Sequence, residues 1–91
     1  SLFVLECMAC ETPVIRTNDT NEEIQHEKTG YLFEADDNVN FQKHVLELLS
    51  NASLREKFGK NARRFIEENY SWEQVSKIFE QSCLKILAEK S

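Results

Sequence analysis

The narrowest constraint in this chain is how little of it can form strand. Two segments read as β: the β-branched pair Val14-Ile15, and Tyr31-Leu32-Phe33 behind the turn signal Lys28-Thr29-Gly30. Between them runs a polar stretch with turn chemistry at Asn18, Asp19 and Asn21, and a single helical turn is expected over residues 22–26. Two short strands joined by a small crossover match the end of a parallel α/β sheet. Two such strands do not make a stable sheet alone. The sheet therefore needs strands from elsewhere. With Ser1 standing in mid-pattern instead of an initiator methionine, the chain is expected to be a piece of a longer protein.

Helices account for the rest. Residues 1–10 form an apolar run broken only by Glu6, and its periodicity does not separate buried strand from helix. Met8 and Ala9 favour helix, and Pro13 supplies the stop. Asp36-Asp37-Asn38 offers a cap to a helix striped by Phe41, Val45, Leu48 and Leu49. Ser53-Leu54-Arg55-Glu56 reads as a capping box opening a helix whose stripe is Leu54, Phe58, Ala62, Phe65, Ile66 and Asn69. Ser71-Trp72-Glu73-Gln74 reads as another, opening a last helix striped by Trp72, Val75, Phe79, Cys83 and Ile86. The expected order is helix, strand, helical turn, strand, then three α-helices.

Composition narrows the function classes. The 91 residues allow one small domain, and 41% hydrophobic with 30% charged residues is a globular mixture. No apolar run reaches the roughly 20 residues that span a bilayer. The net charge is −5, and residues 1–50 hold ten acidic against three basic side chains, so the chain is a poor candidate for a general nucleic-acid binder and no nucleic-acid partner is expected. The one basic cluster is Arg55, Lys57, Lys60, Arg63 and Arg64. Lys57, Lys60 and Arg64 share a helical face, which reads as a solvated face before it reads as a lipid-headgroup contact. Cys7, Cys10 and Cys83 are odd in number, so reduced thiols in a cytosolic chain are expected.

One stretch carries more specific information. Leu5-Glu6-Cys7-Met8-Ala9-Cys10-Glu11-Thr12-Pro13-Val14-Ile15 resembles the signature E-A-M-A-C-G-T-P-V-I of retaining GT-B glycosyltransferases of the large family numbered four. Glu23-Ile24, Lys28-Thr29-Gly30-Tyr31-Leu32-Phe33, Asp37, residues 54–65 and Tyr70-Ser71-Trp72-Glu73 follow in the family's order, and the likeness runs from about residue 2 to residue 88. The resemblance implies the final part of a C-terminal Rossmann-like domain that binds a nucleotide-sugar donor, a UDP-, GDP- or ADP-sugar. Its acceptor, a glycan, lipid or protein, would sit on an N-terminal domain of the same chain. Membrane association through that other domain stays open, and no cofactor or metal is implied.

In the family pattern Glu6 aligns with the second of two glutamates and accepts hydrogen bonds from the donor ribose, a task suited to an acceptor-only carboxylate. Ser1, Leu2 and Phe3 align with a helix start whose backbone amides face the donor phosphates. The partner glutamate and the diphosphate-binding basic residues would lie before Ser1, so the segment alone carries no catalytic residue and is expected to be inactive. Glu11 stands at a position usually glycine, where a left-handed conformation would cost a non-glycine residue about 1 kcal/mol. Asp19-Thr20-Asn21 replaces a Gly-Gly loop, and Ser1 also replaces a glycine. These departures motivate a second reading, an inactive GT-B-derived module that stabilises a partner protein.

Other residues compete for attention. Cys7-x-x-Cys10 looks like a redox or metal motif, but it falls near a helix end rather than a helix start, and no paired ligands accompany it. His44 is expected on the polar side of its helix, and neither it nor His26 is expected to act as a base. Trp72 and the phenylalanines recur at helical spacing and read as core.

Overall fold

The computed structural model describes residues 2–20 and 23–90. Its elements are α1 (Leu2–Ala9), β1 (Val14–Thr17), a 3-10 turn (Asn18–Thr20), β2 (Gly30–Phe33), α2 (Asn38–Ser50), α3 (Ala52–Asn69) and α4 (Trp72–Lys90). The expected α/β class and element order hold. β1 and β2 pair in parallel, from Val14 opposite Gly30 to Thr17 opposite Phe33. They form the whole sheet among the described residues.

The helical turn lies earlier than expected. It occupies Asn18–Thr20, while Asn21 and Glu22 lie outside the described residues. Residues 23–26 are not helical, and His26 instead bridges to Gly30. The cause is local hydrogen bonding. The Gln25 amide donates to the Thr29 hydroxyl at 2.9 Å, and the Gln25 carbonyl accepts from the Lys28 and Thr29 amides. Glu27 takes a φ of 62° to close the turn into β2. β1 is also longer than Val14-Ile15, and Arg16 within it meets the buried carboxylate of Glu23 at 3.0 Å.

α1 ends in a tight reversal. The Thr12 amide donates to Cys7 O at 2.9 Å and the Glu11 amide to Met8 O at 3.1 Å, the paired bonds of a Schellman cap. Such a cap needs a left-handed residue, and Glu11 supplies it at φ 60°. Glycine would take that conformation without strain. α3 then clamps the reversal. Gly59 lies so close that a Cβ there would stand 2.2 Å from Glu11 O, and Arg63 Nη1 donates to Ala9 O at 2.7 Å.

The caps divide into one as expected, one moved and one confirmed in full. Asp37 caps α2, accepting from the Asn40 amide at 3.0 Å. α3 is capped by Asn51, which accepts from the Leu54 amide at 3.0 Å, and not by Ser53. α3 starts where α2 stops, and Arg55 covers the last α2 carbonyls at Leu48 and Leu49. Glu56 is left to pair with Lys60 one turn on. At α4, Ser71 and Gln74 bond reciprocally at 2.8 and 3.1 Å, a complete capping box.

The main core joins Val4 and Met8 of α1 to Ala62 and Ile66 of α3 and Val75 and Ile78 of α4. A second cluster gathers Tyr31, Leu48 and Phe58. The expected stripes shift in two helices. In α2, Phe41 and Leu49 are exposed while His44 and Leu48 are buried, because the helix meets β2 along the line of Tyr31. In α4, Val75 and Ile78 face the core. Trp72 is 73% exposed and Ile86 is also open to solvent, so Trp72 is not core; the Cys83 side chain lies outside those described.

Two substitutions test the reversal, by chemical denaturation of the natural full-length protein. Gly59→Ala drives a methyl into a backbone carbonyl and should cost about 1–3 kcal/mol. Glu11→Gly should stabilise by about 0.5–1 kcal/mol, the relief of strain exceeding the added chain entropy, whereas Glu11→Ala should bring no gain.

Candidate functional site

With Val4 and Met8 turned to the core, the opposite side of α1 carries Leu2, Phe3, Glu6 and Cys10, related by spacings of three and four. Leu2 and Phe3 are exposed in the first turn, and Glu6 is half-buried. Among the described residues nothing makes a hydrogen bond or ion pair to the Glu6 carboxylate. The amides of a helix first turn have no intrahelical acceptors, so this end of α1 offers donors to an anion. Lys85 of α4 reaches over the Phe3 ring at 5.9 Å, adding a cation beside that turn. Ser1 lies outside the described residues.

The reversal at Glu11 turns the chain from α1 directly into β1, whose last residue lies opposite the end of β2. In parallel α/β sheets ligands bind beyond the carboxyl ends of the strands. A cavity of about 460 Å³ opens there, lined by Asn18 after β1, Glu34 after β2, Asp37, Lys43 and His44 of α2, and His26. Glu6 does not line it. The structure thus places Glu6, Leu2 and Phe3 together on α1, but outside this cavity.

The cavity wall holds a cluster that the residue pattern did not announce. His44, expected on the polar side of α2, is 9% exposed and stacks on Tyr31 with centroids 3.9 Å apart. His26 meets both rings edge-on at 5.8 Å and accepts the Leu32 amide on Nδ1 at 2.9 Å. The Tyr31 hydroxyl donates to Glu47 Oε2 at 2.5 Å. His44 Nδ1 is buried, has no hydrogen-bond partner among the described residues and lies 4.0 Å from the same oxygen. The sequence signal for this cluster is the i, i+3 pair His44 and Glu47 facing Tyr31 from the next element, legible only once α2 is known to lie on β2.

Burial pushes the Tyr31 phenol up to about 12, helped by its bond to the Glu47 carboxylate and then by the charges of Glu47 and Glu27. Burial, with Cys10 and Glu6 nearby, raises the Cys7 thiol above its ordinary range. Most of the basic cluster is committed. Arg55 and Arg63 hold helix-end carbonyls, and Lys60 pairs with Glu56 at 2.7 Å. Among the described residues no group of His, Cys, Asp and Glu could hold a metal ion, and no helix is long and apolar enough to cross a membrane.

Comparison with known proteins decides the family. The model for glycosyl transferases group 1 matches residues 1–65. The chain belongs to the group 1 glycosyl transferases. Spore coat protein SA of Bacillus subtilis is 34% identical over 74 residues, covering 78% of this chain and 20% of that protein. The capsular polysaccharide biosynthesis glycosyltransferase CapM of Staphylococcus aureus is 31% identical over 81 residues, 82% of this chain and 21% of its own. An uncharacterized glycosyltransferase of Methanocaldococcus jannaschii, MJ1178, is 31% identical over 86 residues, 88% of this chain and 24% of its own. The chain therefore spans about a fifth to a quarter of the length of these relatives. No solved structure matches it at comparable significance.

The raised Tyr31 predicts a pH dependence. A phenol that is harder to ionise folded than unfolded contributes stability that is intact below about pH 10 and lost as pH rises toward about 12. Urea unfolding across that range should show the falling slope. Tyr31→Phe should remove this contribution and cost about 1–3 kcal/mol at neutral pH, since it deletes a hydrogen bond to a charged group.

Proposed function

We propose that the full-length protein transfers a glycosyl group, with retention, from a nucleoside-diphosphate sugar to an acceptor hydroxyl, as a member of the retaining GT-B family numbered four. In this reading residues 1–91 are the last part of the donor-binding Rossmann-like domain. The remaining strands and an N-terminal acceptor domain belong to the same chain upstream. The observation that carries the reading is Glu6: a half-buried carboxylate on the outward side of α1, without a protein partner among the described residues, one turn from a helix start that offers free amides.

The chemistry assigned to these residues is binding and electrostatics. Glu6 accepts from the ribose hydroxyls and fixes the donor's position along α1. The amides at Leu2 and Phe3, with that of Ser1, face the diphosphate and favour the negative charge that grows on it as the anomeric bond breaks. No group in this segment makes or breaks a covalent bond, so the segment by itself should not transfer sugar. The donor is a UDP-, GDP- or ADP-sugar, and the acceptor is a glycan, lipid or protein bound by the other domain.

Calorimetric titration of the full-length protein with nucleoside diphosphates tests this. Glu6→Gln should weaken the preferred nucleotide about 10–100-fold, the loss of charge-assisted hydrogen bonds. In assays at saturating acceptor, the donor KM should rise with it. Unchanged affinity in the variant would remove the ribose role from Glu6. A full-length protein that binds no nucleoside diphosphate or nucleotide sugar at millimolar concentration would instead be an inactive module acting through a protein partner.

A further inference from the structure

We propose that Cys7 and Cys10 form a reversible modification site, closing to a disulfide within the last turn of α1 by exchange with a low-molecular-weight disulfide of the glutathione type. Both are free thiols, Cys7 half-buried and Cys10 exposed. They lie three residues apart across the end of a helix, a spacing that sets their Cα atoms about 5 Å apart. Disulfides span Cα separations of roughly 4.4–6.8 Å. The turn that holds them is well tied: the Cys10 amide donates to Glu6 O at 3.1 Å and Cys7 O at 3.2 Å, and the Thr12 amide donates to Cys7 O at 2.9 Å. Cys10 is exposed and Cys7 half-buried, and neither belongs to the core formed by Val4, Met8 and Ala9, so the two sulfurs join at the rim of the packed side.

The placement also sets the kind of chemistry. A dithiol at a helix start has its thiolate favoured by the free amides; this pair sits at the opposite end, among carbonyls. Burial and the neighbouring Cys10 and Glu6 hold the Cys7 thiol above its usual range. That combination is wrong for a rapid oxidoreductase and suits a slow staple, because a thiol that ionises poorly is a poor leaving group when the bond is attacked. The steps balance. The Cys10 thiolate attacks one sulfur of the small disulfide and expels one thiol, leaving a mixed disulfide on Cys10. Cys7, losing its proton, attacks Cys10 Sγ and expels the second thiol. Two protein thiols become one disulfide, and one small disulfide becomes two thiols. The site requires nothing of the donor reading, although Cys10 lies one turn from Glu6 on the same side of α1.

The test is exchange of the natural full-length protein with glutathione disulfide, followed by acid quenching and peptide mapping by mass spectrometry. The expected product is one peptide spanning residues 7 and 10, lighter by two hydrogen atoms, which dithiothreitol returns to the starting mass. Cys7→Ala, which restores the alanine of the family pattern, should stop at a glutathione adduct on Cys10. A wild-type protein that accumulates the Cys10 adduct without closing, or in which neither thiol reacts under conditions that modify both after unfolding, overturns the proposal.

Discussion

The contact on which the rest depends is the approach of α3 to the end of α1. Gly59 lies against the Glu11 carbonyl, and one turn on Arg63 bonds the Ala9 carbonyl. Together they seat the reversal that turns α1 back along β1. Glu11 takes a left-handed conformation there without being glycine. A strained residue persists when its surroundings over-determine it. Here two Schellman bonds and the packed glycine do so. Removing the side chain at position 59 lets the backbones touch, so the strain at one residue is sustained by the absence of a side chain at another.

From that reversal the placement of the candidate site follows. The reversal joins α1 to β1, and β2 runs from its far end into the Asp37 cap of α2. The side of α1 that carries Glu6 is then defined by elimination, since Val4 and Met8 are committed to α3 and α4. The cavity beyond the strands belongs to a different wall, made by α2 and the turn before β2. Its stacked rings of His44 and Tyr31 tie α2 to the sheet, and the Tyr31–Glu47 bond closes that tie. The cluster therefore reads first as a structural joint.

Much of this was legible before any coordinates. The motif at residues 5–15 carries the family, and the Ser71–Gln74 box marks the start of α4 to the residue. Glu11 was recognised as a position that wants glycine, and it does adopt the left-handed conformation. Other readings failed for identifiable reasons. The Ser53 box matched the pattern, yet Asn51 captured the cap because α2 and α3 abut, leaving no room for two more unhelical residues. Trp72 fitted an apolar stripe, but a stripe says which residues share a side, not which of two adjacent sides meets the core. His44 is expected on the polar side of α2, but the ring of Tyr31 gives it a buried partner.

The amino-acid sequence alone determined what is local or patterned: the order of elements, two of the three later helix caps, the parallel sense of a short sheet, and the family. These follow from backbone chemistry within a few residues or from spacings preserved as a motif. Tertiary structure decided what depends on contacts distant in sequence. It set the rotation of α2 and α4 about their axes, the burial of His44 and the clamp of α3 on the α1 reversal. It also left Leu2, Phe3, Glu6 and Cys10 on the side of α1 turned away from Val4 and Met8. Helix rotation answers to the shape of the partner surface, and no window of neighbouring residues contains that partner.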